Sequence, residues 1–128
     1  MNAPLTPTQH DSPQKTQRQS EVVRALQAHL PAHALIWQAE DTTPYECDGL
    51  TAYRARPLVV ALPETEAQVA AVLKTCHQLG VPVVARGAGT GLSGGAMPHT
   101  MGVTLSLARF NRILKIDPVS RTAVVQCG

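Results

Sequence analysis

The sequence predicts an α+β domain, not a regular α/β alternation. Three observations lead there. A strand–helix–strand unit spans Leu58 to Ala85. A glycine-rich loop follows it directly, with no room for a second helix before the next strand. The remainder, from Gly102 to Gln126, reads as a run of strands.

At the N-terminus, residues 1–19 are polar and hold Pro4, Pro7 and Pro13. Such a stretch buries too little apolar surface to offset the entropy of ordering it, so a disordered tail is expected over 1–19. It has no apolar core segment of the kind a secretory signal needs. Nowhere does an apolar run approach the roughly 20 residues of a membrane span. Residues 20–128 are expected to form the folded part. Ser20 is placed to cap a helix running to about Leu30, with Val22, Val23, Leu26 and Leu30 on one side. Pro31 stops it. His29 and His33 flank this helix end and read as surface residues.

Residues 31–57 show little periodicity and read as irregular. Within them, Pro44-Tyr45-Glu46-Cys47-Asp48-Gly49 reads as a loop. Glu46 and Asp48 read as solvated carboxylates, because adjacency in a loop does not supply the convergent geometry of an acid/base pair.

Leu58 to Leu62 is a short apolar run bounded by Pro63, which suits a buried strand. Thr65 then starts a helix, with Gln68 at capping-box spacing. Val69, Val72, Leu73, Cys76 and Leu79 form its apolar stripe. Gly80 fits the position just past the helix end, and Pro82 prevents continuation. Val81 to Ala85 is the second strand. Gly102 to Leu107, the segment around Ile113, Leu114 and Ile116, and Thr122 to Gln126 supply three more. Asp117-Pro118 marks the turn between the last two.

Eleven Lys and Arg face nine Asp and Glu, a formal charge of +2. So even a balance, with no basic block, argues against nucleic acid as a partner. Cys47, Cys76 and Cys127 are widely spaced, with no CxxC pair and no zinc-ligand spacing. They read as reduced thiols of a cytoplasmic protein. Cys76, on the helix stripe, reads as core and not as a nucleophile.

The chemistry is concentrated in Arg86-Gly87-Ala88-Gly89-Thr90-Gly91-Leu92-Ser93-Gly94-Gly95. Five of these ten residues are glycine, against an average usage of about 7%. Glycine lets the backbone come close to a ligand, and successive N–H groups can then converge on an anion. Thr90 and Ser93 add hydroxyls, and Arg86 adds a fixed positive charge. A plain flexible turn would not need glycines at alternating positions straight after a buried strand, so phosphate binding is the better reading.

Two familiar phosphate loops do not fit. A P-loop requires Lys after its last glycine, and the next lysine here is Lys115. Gly89 to Gly94 matches GxGxxG literally, but that fingerprint should open a helix and be followed about 20 residues on by an acidic residue. Here the chain reaches the strand at Gly102 first, and Arg109 stands near the acidic position.

The stretch from Pro82 to Ala96 resembles the diphosphate loop of the vanillyl-alcohol-oxidase-type (PCMH-type) FAD-binding domain. Pro57 to Pro63 and the helix after it resemble that domain's opening. Pro44 to Leu50 and Tyr53 to Pro57 resemble, more narrowly, the glycolate oxidase D-subunit family. The resemblance implies an N-terminal subdomain of a PCMH-type domain over residues 20–128. It implies FAD as cofactor, with Arg86, Gly87, Ala88, Gly89, Thr90, Gly91, Leu92, Gly94 and Gly95 contacting the diphosphate mainly through backbone amides. Some relatives carry a flavin-linking histidine where Thr90 stands, so the FAD is expected to be non-covalent.

The same resemblance implies oxidation of a small 2-hydroxy acid, glycolate to glyoxylate, with D-lactate or another D-2-hydroxy acid as the alternative substrate. A non-catalytic nucleotide-binding module is the alternative from another class. The family's catalytic residues fall beyond Gly128, so none is named here. Partners implied are a second flavin subunit and an iron–sulfur subunit, with a cytoplasmic location and membrane association only through those subunits. Because Gly128 follows an apolar strand directly, a continuation is expected to cover it, and the fragment alone is expected to be inactive. One departure is Cys127, where the family commonly has Pro before the glycine.

Overall fold

Ser12, not Ser20, starts the first helix. The computed structural model describes residues 12–128, and in it α1 covers Pro13–Gln27. The Ser12 side chain accepts a hydrogen bond from the Lys15 N–H at 3.3 Å. Pro13 occupies the first turn, where its missing N–H costs nothing. Residues 13–19 are therefore helical where a tail was expected, because a capped turn extended an amphipathic segment upstream. Residues 1–11, the rest of the expected tail, lie outside the described residues. Ser20 sits mid-helix and donates back to the Thr16 carbonyl. Val22, Val23 and Leu26 form the buried face, and His29 and His33 are exposed as expected.

The stretch read as irregular contains four short elements. These are a 3-10 turn at Ala32–Ala34, strand β1 at Leu35–Ile36, helix α2 at Ala39–Thr42 and a 3-10 turn at Thr43–Tyr45. Each is shorter than the window over which a period shows.

The remaining elements are β2 (Val59–Ala61), α3 (Glu66–Leu79), β3 (Val83–Arg86), β4 (Val103–Ser106), β5 (Ile113–Asp117) and β6 (Thr122–Val125). All five strands read from the sequence are present, each within a residue or two of its expected ends. Around α3 the expected caps also form. Thr65 accepts from the Gln68 N–H at 3.2 Å, while the Gln68 side chain accepts from the Glu64 N–H at 2.7 Å. Gly80 takes the left-handed conformation, φ 64°. On the α3 stripe Leu73 is 45% exposed, but Cys76 is buried as expected, and burial pushes its thiol up to about 11.

The main sheet has the order β1-β2-β4-β3. Strand β1 runs antiparallel to β2, with Leu35 opposite Ala61. Strands β2, β4 and β3 are parallel, and Val59 and Val83 flank Val103 from either side. The strand that comes last in sequence thus lies between the two that precede it. Every residue of β2 and β4 is buried. Helix α1 packs on α3, β1 and β2, and a single cluster joins Val22, Leu26, Leu35, Leu58, Val59, Val72, Cys76 and Val103. Strands β5 and β6 form a separate hairpin. Ile113, Leu114, Ile116, Val124 and Val125 all stay more than half exposed on it.

Parallel neighbours need a long crossover, usually helical. Between β3 and β4 that crossover is residues 87–102, and it contains no helix. The glycine-rich loop therefore leaves the sheet at the carboxyl end of β3, where ligands of open parallel sheets characteristically bind.

Candidate functional site

Strand β3 ends at Arg86, whose carbonyl accepts from the Leu107 N–H at 2.8 Å. From Gly87 onward the chain leaves the ladder. Among the described residues, none of the backbone N–H groups from Gly87 to Gly95 donates to an acceptor within the chain. The next loop amide that does is that of Met97, which bonds to the Gly94 carbonyl at 3.1 Å. A run of unpaired donors this long must be met by water or by a ligand.

The loop's shape comes from two residues with positive φ, Gly89 at 71° and Gly94 at 77°. Only glycine adopts that conformation at no steric cost. Gly87 and Gly91 differ from them: neither has positive φ, and a Cβ on either would meet nothing within 4 Å. Their missing side chains leave open space on the loop's outer side. Gly87, Ala88, Thr90, Gly91, Leu92 and Gly95 are exposed, and Gly89 and Gly94 are half-buried.

Beneath the loop lies the segment from Pro44 to Leu50. The two backbones touch at Gly49. A Cβ there would stand 2.7 Å from the Thr90 carbonyl oxygen and 2.8 Å from that of Gly91. Asp48 is only 4% exposed, so it is not the solvated carboxylate expected. Its Oδ1 accepts from the Leu50 N–H at 2.9 Å and fixes the turn in which Gly49 sits. The physical reason is an Asx turn, which pulls the carboxylate back onto its own backbone.

Arg86 is also placed differently from a simple phosphate ligand. Its guanidinium donates to the carbonyls of Cys47, at 2.7 Å, and Pro44, at 3.4 Å. It lies 5.6 Å from the Tyr45 ring centroid, and it fills the space a side chain at Gly89 would take. The Asp48-Gly49 pair, which suits an Asx turn, is the sequence signal for this arrangement. Among the described residues no group of three His, Cys, Asp or Glu side chains is placed to hold a metal ion.

Residues 57–128 match the family model described as an FAD binding domain. The chain belongs to this family. This chain is 56% identical over 109 residues to glycolate oxidase subunit GlcD of Escherichia coli K12, covering 85% of this chain and 22% of that protein. It is 37% identical over 106 residues to a D-2-hydroxyglutarate dehydrogenase of Xanthomonas citri, covering 83% and 22%. It is 34% identical over 109 residues to a D-lactate dehydrogenase of Archaeoglobus fulgidus, covering 84% and 23%. The chain thus spans about a fifth of the length of these relatives.

Among solved structures, this chain superposes on 4-ethylphenol oxidase from Gulosibacter chungangensis with a TM-score of 0.72 at 21% identity, covering 94% of this chain and 23% of that one. It superposes on p-cresol methylhydroxylase with a TM-score of 0.67 at 26% identity, covering 80% and 21%. The α+β, PCMH-type fold read from the sequence is the fold observed.

FAD is the cofactor of the family. The residues present fit its diphosphate by their chemistry. Unpaired N–H groups are donors for phosphate oxygens, two left-handed glycines shape the loop, and the open space at Gly87 and Gly91 admits close approach.

Proposed function

We propose that this chain is the diphosphate-binding part of an FAD-dependent dehydrogenase that oxidises glycolate to glyoxylate. The observation that carries the reading is the run of unpaired amides from Gly87 to Gly95 at the carboxyl end of β3. Gly87, Ala88, Gly89, Thr90, Gly91 and Leu92 hold the diphosphate through backbone N–H groups, with Gly94 and Gly95 completing the cradle and Arg86 anchoring its first turn. Residues 13–128, which include all of α1, form part of a larger FAD-binding domain. When bound, FAD supplies the electron acceptor for the hydrogen removed from the hydroxyl-bearing carbon. This chain's residues bind and orient the cofactor. The flavin is held without a covalent bond, because Thr90 stands where a linking side chain would be needed.

Glycolate is favoured as substrate by the 56% identity to the glycolate oxidase subunit. The D-2-hydroxyglutarate and D-lactate dehydrogenases, at 37% and 34%, support a second reading in which a larger D-2-hydroxy acid is used. The complex implied by the first reading contains a second flavin subunit and an iron–sulfur subunit.

The test is made on the full-length protein that carries this chain. Flavin absorbance bands in the purified protein, with the flavin released into the supernatant by acid precipitation, are expected. Absence of flavin after reconstitution with FAD would leave a non-catalytic nucleotide module. Flavin bleaching under anaerobic conditions with glycolate, faster than with D-lactate or D-2-hydroxyglutarate, is the expected substrate result. The reverse order would select the second reading.

A further inference from the structure

We propose that the segment Pro44–Leu50 is the mould that holds the glycine-rich loop in its binding shape, and that Arg86 is a positioning residue whose guanidinium ties the two together. This rests on the reading that the loop binds diphosphate.

A loop whose amides make no internal hydrogen bonds has no bonding reason of its own to keep one shape. Ordering it costs about 1–2 kcal/mol of backbone entropy per residue, so its constraints must come from outside. Four constraints are present, and all lead to residues 44–50. Gly49 seats the carbonyls of Thr90 and Gly91. The Leu50 side chain lies 3.8 Å from where a Gly94 Cβ would stand. Asp48 holds the Gly49–Leu50 turn. Arg86 bonds the Cys47 and Pro44 carbonyls, lies against Tyr45 and fills the space beside Gly89.

The donor fork of Arg86 faces main-chain carbonyls. Its role is therefore geometric, and the anion is left to the amides. A lysine keeps the charge but lacks the planar fork that bonds two carbonyls while facing a ring. That difference separates the positioning role from a direct charge on phosphate.

The experiment compares Arg86→Ala, Arg86→Lys and Gly49→Ala with wild type in the full-length apoprotein. FAD affinity is read by fluorescence over a series of KCl concentrations, since salt screens a direct charge–phosphate attraction. Both Arg86 variants are expected to weaken FAD to a similar degree, about tenfold, with the salt dependence unchanged. Wild-type affinity in Arg86→Lys, together with a flattened salt dependence in Arg86→Ala, would overturn the proposal and make Arg86 a phosphate ligand.

A second readout needs no flavin. The Ala55 N–H donates to the Glu46 carbonyl at 2.9 Å, so hydrogen exchange at Ala55 reports on the order of the mould. Exchange is expected to accelerate several-fold in Arg86→Ala and Arg86→Lys, and in Gly49→Ala where that variant folds. Unchanged exchange in both Arg86 variants would overturn the proposal. If wild type takes up no FAD, the diphosphate reading fails, while the exchange arm still decides the positioning role.

Discussion

Arg86 Nη1 donates to the carbonyl of Cys47 at 2.7 Å, across 39 residues of sequence. This bond joins the end of β3, where the glycine-rich loop begins, to a segment that comes before β2. Neither partner belongs to the hydrophobic core, yet the contact fixes where the loop leaves the sheet.

The loop glycines divide into two kinds, and alanine substitution separates them. Gly91→Ala meets nothing within the chain and needs no positive φ. It is expected to leave the melting temperature unchanged while weakening FAD binding, because the new methyl occupies the open side. Gly89→Ala is expected to lower stability by about 1–2 kcal/mol from its left-handed backbone alone, and further through collision with the Arg86 guanidinium. Thermal melts of the apoprotein alongside FAD titrations check both. A Gly91→Ala variant with unaltered FAD affinity would remove the outer side of the loop from the site.

Thr65→Ala removes the side-chain acceptor of the Gln68 N–H at the start of α3. The expected loss is about 1 kcal/mol, within the range measured for such caps. Because, among the described residues, no hydrogen bond joins Thr65 to residues 86–95, FAD affinity should hold once stability is restored by lower temperature. Denaturant unfolding gives the first number and a titration gives the second.

Cys76 is buried, with its thiol pushed up to about 11 by desolvation. Cys127 is exposed. At pH 8 a thiol reagent is expected to modify Cys127 quickly and Cys76 only when denaturant opens the core. Mass spectrometry of peptides from a timed reaction would show the order. Early labelling of Cys76 would mean that the α1–α3 layer opens readily.

The Asp117 carboxyl is held below the usual carboxylate range by hydrogen bonds from the Ser120 backbone and side chain and from the Val119 N–H. A lowered folded-state value means that the contribution to stability is present above the unfolded-state value. It is lost as pH falls through the folded one. The turn between β5 and β6 is therefore expected to loosen in acid, seen as shifts of the Val119 and Ser120 amide resonances. In Asp117→Asn that acid transition should disappear. Its persistence would assign the transition to another group.

Much of this molecule is legible in its sequence. The five longer strands are bounded by Pro, Gly and Asp-Pro signals, and α3 is marked at both ends by Thr65 and Gly80. The loop's purpose follows from its glycines and from the strand that comes too soon after it. What the sequence conceals is of two sorts. Elements such as Leu35–Ile36 and Ala39–Thr42 are too short to register a period. Long-range contacts leave no local trace: nothing around Arg86 says that its guanidinium points back to Cys47. Ser20 misled for a different reason. It has the chemistry of a cap, but Ser12 followed by Pro13 makes the stronger helix start.

The position of β4 has a kinetic consequence. It is the last strand of the main sheet to be synthesised, yet it must slot between two strands already present. Until it docks, β2 and β3 have no common partner, and the 87–102 crossover is an open tether. Closing a tether carries an entropic penalty that grows only slowly with its length. Lengthening the crossover by a few residues should therefore lower stability only slightly, and slow refolding by no more than the same free energy. The ligand loop is thus the same segment of chain that carries β4 into its place between β2 and β3, so one crossover serves both the sheet and the cofactor site.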